Sequence, residues 1–351
     1  MLNLQFKSPL AGIQSIESLV KHLNINCNKI TYLLENINSL YEGPIPILKS
    51  NGKPRPIYLC EPRLKYFLKR LNSKIFKVVS YPDFLHGALP NRDTYTNISQ
   101  HLNAEVICNF DIQSFFTAIT YEHVFDIFKN FFHFSAEVSH VLAKLTTVNN
   151  QVPQGSPCSS YIANLVFYRS EVNVVQKLRN KNFVYTRFVD DISVSSLSKK
   201  TKEDINEVHR IVVGMIRAYQ FSLQSEKRSI APSCKTRSLT VNKINIVKSK
   251  LSIPKKKRAN IRAALYQLEQ HFQEKDMKFV VKNFESVQGR VLYYSKYHPK
   301  SADKMMKRLK KIHIEISPLL KHYKRNRLKS DIRKYRNKNY IRNKPAITQK
   351  V

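Results

Sequence analysis

Apolar residues near the start of the chain recur at helical spacing, first Ile16, Leu19, Val20 and Leu23, then Ile30, Leu33, Leu34 and Ile37. This pattern predicts two helices between Ile16 and Leu40. Next, Ile45-Pro46-Ile47-Leu48 and Arg55-Pro56-Ile57-Tyr58-Leu59 flank the turn pair Asn51-Gly52, which predicts two short joined strands. Arg63 to Lys77 reads as a basic amphipathic helix. The run Val106-Ile107-Cys108-Asn109-Phe110 has the character of a buried strand; it ends in Asp111 and leads into Phe115-Phe116. Gln151 to Pro157 should be a loop and Ser159 to Leu178 one apolar-faced helix. Tyr185 to Val189 and Ile192 to Ser195 predict two strands around the acidic pair Asp190-Asp191, with a helix from Ile205 to Tyr219 after them. Further on, Ile261, Leu265, Leu268 and Phe272 share one helical face between Arg258 and Phe272. No repeat period and no heptad pattern is visible.

Charge changes this picture most. The 351 residues carry 60 Lys+Arg against 25 Asp+Glu, a formal net charge of +35. A compact fold with that excess repels itself unless a polyanion lies against it, and nucleic acid is the natural candidate. No apolar run approaches the roughly 20 residues a spanning helix needs, so no membrane partner is expected. The opening Met1 to Lys7 has no charged segment followed by a long apolar stretch, so no secretion signal and a cytoplasmic location are expected. Five cysteines, odd in number and never in C-x-x-C spacing, read as reduced thiols, and no histidine lies at ligand spacing from a cysteine pair. The basic residues are concentrated late. Lys248 to Arg262 holds seven of them and no acid, and Lys300 to Val351 holds 18 against three acids. Tyr266, Tyr293, Tyr294, Tyr297, Tyr323, Tyr335 and Tyr340 are interleaved there, a mixture suited to phosphate contact and base stacking. The composition shift after Cys234 marks an expected domain boundary.

An acidic pair between largely apolar strands in so basic a chain needs an explanation. Asp-Asp alone is equally a hairpin turn, because aspartate favours turns. Adjacent like charges repel, however, and burial raises the cost, so a cation is expected beside them. If Asp111, at the end of a neighbouring strand, faces the same spot, three carboxylates converge where two Mg²⁺ ions about 4 Å apart could sit. Mg²⁺ favours a few carboxylates plus substrate phosphate oxygens, which points to phosphoryl transfer.

The order of motifs adds to this. Asp111-Ile112-Gln113-Ser114-Phe115-Phe116, then Gln154-Gly155-Ser156-Pro157, then Phe188-Val189-Asp190-Asp191 resembles the successive palm motifs of reverse transcriptases. Phe188 stands where the family usually has tyrosine. The resemblance implies an α+β right-hand polymerase with fingers at 1–108, a palm of antiparallel sheet plus helices at 109–233, and a helical basic thumb with its tail at 234–351. It implies a metal set of Asp111, Ile112, Asp190 and Asp191, with Asp111 and Asp190 binding both ions and Asp191 supporting the site. Phe116 falls where a ring would clash with a 2′-hydroxyl, so the substrate would be dNTP; for Phe116 alone, a plain core position is the other reading. Gln154 would line the nucleotide pocket. Lys53-Pro54-Arg55-Pro56-Ile57 resembles the fingers motif, with Arg55 and either Arg63 or Lys65 on the triphosphate. Lys227 falls where the family has a lysine near the leaving pyrophosphate, a candidate general acid.

Asn97-Ile98-Ser99-Gln100-His101 resembles the N-A-x-x-H signature of retron enzymes, with Ile98 in place of alanine. Leu239 to Lys243, Ile253-Pro254 and the basic helix resemble the retron thumb region, although Thr236-Arg237-Ser238 stands where V-T-G is expected. The implied RNA-binding set is Asn97, His101, Lys255, Lys256, Lys257, Arg258 and Arg262. A retron-type enzyme would copy a structured non-coding RNA template and primer into DNA from dNTPs, serve in anti-phage defence, and have an effector protein as a candidate partner. Alternatives are another defence-associated or group II intron-like reverse transcriptase, or an inactive polymerase-derived RNA-binding protein. The last 52 residues hold only Asp303, Glu315 and Asp331 as acids, too few for a separate nuclease site.

Overall fold

The computed structural model describes residues 3–48, 52, 54–224, 229–232, 239–242, 244–247 and 249–342. The chain divides into two compact units, Met1–Leu251 and Ser252–Val351. The first opens with α1 (Ile16–Leu23) and α2 (Cys27–Glu35), each begun by a polar side chain that takes up an otherwise orphan N–H, Ser15 from Ser18 and Asn26 from Asn28. An antiparallel ribbon follows, β1 (Tyr41–Leu48) against β2 (Pro54–Cys60), with Ile47 opposite Arg55. Glu61 then caps α3 (Pro62–Leu71), which runs on as a π-helical turn over Asn72–Phe76. The short α4 (Thr94–Ser99) is fixed by a reciprocal capping box between Asp93 and Thr96.

A four-stranded antiparallel sheet lies at the centre of this unit. Its strands are β3 (Val106–Asp111), β4 (Val184–Phe188), β5 (Asp191–Ser196) and β6 (Ser229–Pro232), in the order β4-β5-β3-β6. Between β3 and β4 run α5 (Phe115–Ala118), α6 (Tyr121–Asp126), α7 (Ala136–Thr146), α8 (Ser159–Leu165) and α9 (Glu171–Arg179), and α10 (Lys202–Ala218) follows β5. The single helix expected from Ser159 to Leu178 is therefore two. The chain turns between them, and the turn sends Glu171, at the start of α9, fully inward to a cation described below. Phe76, Phe128, Phe132 and Tyr161 pack as one aromatic cluster, with ring centres 5.8–6.0 Å apart from Phe76 to each of the others and from Phe128 to Phe132. A three-stranded sheet, β7 (Leu239–Val241), β8 (Ile244–Val247) and β9 (Lys250–Ser252), carries the chain to the second unit. The unit boundary, after Leu251, thus falls within β9, whereas the composition shift, after Cys234, comes before β7.

The second unit is helical: α11 (Lys255–Gln273), α12 (Met277–Ser295) and α13 (Pro299–Arg342). Ile261, Leu265 and Leu268 of α11 are buried, as are Val280, Phe284, Val287 and Val291 of α12 and Leu309, Ile312 and Ile316 of α13. Among the described residues no helix is long and apolar enough to cross a membrane.

Candidate active site

Antiparallel pairing sets the position of the carboxylates. Asp111 ends β3 directly opposite Asp191, which begins β5, so the two side chains lie on one face of the sheet. Asp190 sits in the turn just before Asp191, and its carbonyl accepts the Ile112 N–H at 3.1 Å. Asp111 is only 8% exposed. Burial, with Asp190 and Asp111 alongside, pushes the Asp191 carboxyl up to about 7. Three crowded carboxylates, one of them driven toward keeping its proton, are a donor set that suits a divalent cation. Among the described residues no group of three or more His, Cys, Asp or Glu forms a ready-made metal cage. An ion here would complete its shell with water or substrate oxygens.

The turn carrying Asp190 is strained and braced. Val189, β-branched, has φ +60°, a conformation that persists only where its surroundings impose it. Gly87 lies beneath it, where an added Cβ would come within 2.4 Å of Val189 Cγ2. Arg187, fully buried, donates from Nη1 to the Val189 carbonyl at 3.1 Å and the Ala163 carbonyl at 3.0 Å. Its Nη2 reaches Asn164 O at 2.9 Å and Glu171 Oε2 at 2.8 Å, and its Nε reaches Glu171 Oε1 at 2.6 Å. All five guanidinium N–H donors are thereby used. Glu171, equally buried, also accepts from the Tyr185 hydroxyl at 2.7 Å. Arg187 and Glu171 were not singled out from the sequence; the available signal was an arginine inside the apolar run from Tyr185 to Val189, where a cation must find a buried partner.

The remaining expected residues separate. Phe115 is core, stacked on Phe167 at 5.8 Å, whereas Phe116 is half-buried and keeps part of its ring free. The Gln154 carbonyl accepts the Tyr58 N–H at 2.8 Å. Gly155, at φ +106°, passes so close that a Cβ would lie 2.7 Å from Tyr58 O. This loop is thus fastened to β2, the strand that carries exposed Arg55. Arg63 lies 4.1 Å over the Tyr32 ring, in the groove between α2 and α3. Lys65, two residues on and so about 200° around the helix, is on another side, near enough to Cys60 at the end of β2 for its charge to act on that thiol. Arg63 and Lys65 thus face different sides of α3. Lys227 and Lys53 lie outside the described residues.

Asn97 and His101 require a correction. His101 is 0% exposed, with its two ring nitrogens 2.7 Å from the Ser195 and Thr186 hydroxyls; Asn97 is 1% exposed and donates to Asn242 Oδ1 at 2.6 Å. Both side chains are buried and bonded inside the protein, and they offer RNA no surface. The basic start of α11 is different. Lys255, Lys256, Lys257 and Arg262 are exposed and Arg258 half-buried, and Lys257 caps the Tyr293 ring at 4.1 Å. Its preceding residue, Pro254, supplies no side-chain cap. Four cations in a first turn oppose the helix dipole, an arrangement that favours a bound polyanion.

Comparison with known proteins agrees with this geometry. The family described as reverse transcriptase (RNA-dependent DNA polymerase) matches residues 47–242. The retron Se72 reverse transcriptase of Salmonella heidelberg is 32% identical over 329 residues, 93% of this chain and 86% of that protein. The retron Ec48 reverse transcriptase of Escherichia coli is 28% identical over 80% of this chain and 72% of its own length. A solved telomerase from Candida albicans, in complex with a telomeric RNA fragment, aligns at TM-score 0.40 and 10% identity over 74% of this chain and 55% of that one. The chain belongs to the reverse transcriptases, right-hand α+β polymerases that make DNA on an RNA template, and among them to the bacterial retron type.

Proposed function

We propose that this enzyme copies a structured non-coding RNA partner into DNA by two-metal phosphoryl transfer from dNTPs, with Asp111 and Asp190 holding Mg²⁺, the Ile112 carbonyl in the same shell, and Asp191 supporting them. Reverse transcriptases use divalent metal ions, which supply charge stabilisation for the attacking and leaving oxygens. The observation that carries the reading is the placing of Asp111 opposite Asp191 and beside Asp190, with Asp191 pushed up to about 7 by burial and those neighbours. Around it, Phe116 excludes the 2′-hydroxyl, Gln154 and Arg55 border the incoming nucleotide, Arg63 or Lys65 joins Arg55 on its phosphates, and Lys227 acts near the pyrophosphate. Residues 1–108, 109–233 and 234–351 serve as fingers, palm and thumb with its tail. Lys255, Lys256, Lys257, Arg258 and Arg262 grip the RNA. The RNA-linked DNA product acts in anti-phage defence with an effector protein.

The test is primer extension on an RNA template with Asp111→Asn and Asp190→Asn, alongside an RNA-binding assay and a Mg²⁺ titration. Synthesis should be lost with RNA affinity kept, and chelation of divalent ions should reproduce the loss. Polymerisation by either variant would refute the assignment.

A further inference from the structure

Asn242 occupies the turn between β7 and β8 at φ +46°, a left-handed conformation that asparagine tolerates better than most residues. Its Nδ2 donates to Asp191 Oδ2 at 3.0 Å. Its Oδ1 accepts from Asn97 Nδ2 at 2.6 Å. Asn97 is itself immobilised: it lies on α4, behind the Asp93–Thr96 capping box. One turn later His101 is held between Ser195 of β5 and Thr186 of β4. A second fastening joins β7 to β3, where Asn109 Nδ2 donates to the Thr240 carbonyl at 2.9 Å and Asn109 Oδ1 accepts from the Ser193 hydroxyl at 2.8 Å.

Stability does not account for the Asn97 amide. Its Oδ1 is buried with no hydrogen-bond partner among the described residues, and an orphaned buried acceptor is a cost that an apolar residue of similar size avoids. What the amide provides is the N–H that fixes Asn242. Asn242 in turn is the neutral side-chain donor to Asp191 among the described residues, against the repulsion of two neighbouring carboxylates. A hydrogen bond to a charged group is among the stronger kinds, and in series the two amides can set the direction of one carboxylate.

We propose that Asn97 and Asn242 form a hydrogen-bonded relay that positions the Asp191 carboxylate for metal binding, so that the Asn-x-x-x-His segment acts on the polymerase centre from inside the protein. Asn97 and Asn242 are positioning residues. The inference rests on the reading of Asp111, Asp190 and Asp191 as the metal site, and it gives that segment a role other than contact with RNA.

The full chain is assayed on poly(rA)/oligo(dT) with dTTP, Mn²⁺ binding is followed by loss of the free-ion resonance signal, and thermal midpoints are recorded. Asn242→Gly removes the amide while accepting the left-handed backbone, and Asn97→Leu removes the donor at similar volume. Asn242→Gly should lower kcat and weaken Mn²⁺ binding by about tenfold or more, the scale of a hydrogen bond to a charged group, with KM for primer-template changed by less than about twofold. Asn97→Leu should shift kcat and Mn²⁺ affinity in the same direction with no loss of thermal midpoint, and the double variant should be no worse than Asn242→Gly alone. Unchanged kcat and Mn²⁺ affinity in Asn242→Gly, or losses that multiply in the double variant, would overturn the relay. So would activity that falls only in step with thermal midpoint. If the glycine variant does not fold, Asn97→Leu, which leaves the Asn242 backbone untouched, carries the test, and unchanged kcat and Mn²⁺ affinity in it would overturn the relay. Asp191→Asn separates the two readings: full synthesis by it defeats the metal-site assignment, whereas its inactivity beside a normal Asn242→Gly defeats the relay alone.

Discussion

Removing one member of the buried Arg187–Glu171 pair should cost far more than a surface ion pair, and the structure says why. Both side chains are 0% exposed, and the guanidinium reaches the carboxylate through two bonds, of 2.6 and 2.8 Å. Glu171→Gln leaves a buried cation without its counter-charge, and Arg187→Leu leaves a buried anion plus the carbonyls of Ala163, Asn164 and Val189 without their donor. Either change should lower unfolding free energy by roughly 3–5 kcal/mol, read from urea denaturation. Replacing both, as Arg187→Met with Glu171→Leu, removes the unpaired charge and should recover part of that loss, since the three carbonyls and the Tyr185 hydroxyl still lose their partners. It does not return the donor to the Val189 carbonyl, and that bond helps hold φ +60° in the turn carrying Asp190. The double variant should therefore be stable but slow, with single-turnover primer extension down by about tenfold or more, the effect of one lost positioning contact. A single-variant cost below about 1 kcal/mol, or full synthesis by the double variant, would refute this reasoning.

Phe116→Ala should admit ribonucleotides, raising rNTP over dNTP incorporation by about tenfold or more in primer extension; an unchanged ratio makes Phe116 a packing residue. Neutralising Lys255, Lys256, Lys257 and Arg258 together should flatten the log-log salt dependence of binding to the native RNA by about two to four units. The same variant should lose less synthesis on a saturating generic primer-template, and equal losses would mean a general clamp. Burial, with the nearby charge of His86, holds His101 down to about 3, so native His101 stays neutral while the unfolded chain takes up a proton below about 6.5. Its contribution to stability is then complete above pH 6.5 and lost as pH falls toward 3, by up to about 1.4 kcal/mol per unit; a His101→Gln variant with the same acid slope would refute the assignment.

The parts legible in the sequence are those whose cause is local. Helical spacing gave α1, α2 and α11, and the apolar run before Asp111 gave β3, because periodicity reports which face is buried. The carboxylate cluster was legible too, since Asp111 and Asp190-Asp191 end and begin strands, and antiparallel pairing brings strand ends together. What could not be read was the partner of each buried polar group. Nothing in the local pattern around Ser159–Leu178 says that the helix must break to send Glu171 to Arg187, 16 residues on. Nor does a short Asn-x-x-x-His segment announce that its histidine meets Ser195, 94 positions away, or that its asparagine meets Asn242, 145 away. A motif read as a contact with RNA on family grounds proved to be interior, because a signature records that a side chain is needed without recording what it touches. In a chain of net charge +35 the two are easily confused, since lysines and arginines on the outside suit phosphate contact, whereas the polar side chains of Asn97 and His101 meet their partners within the fold.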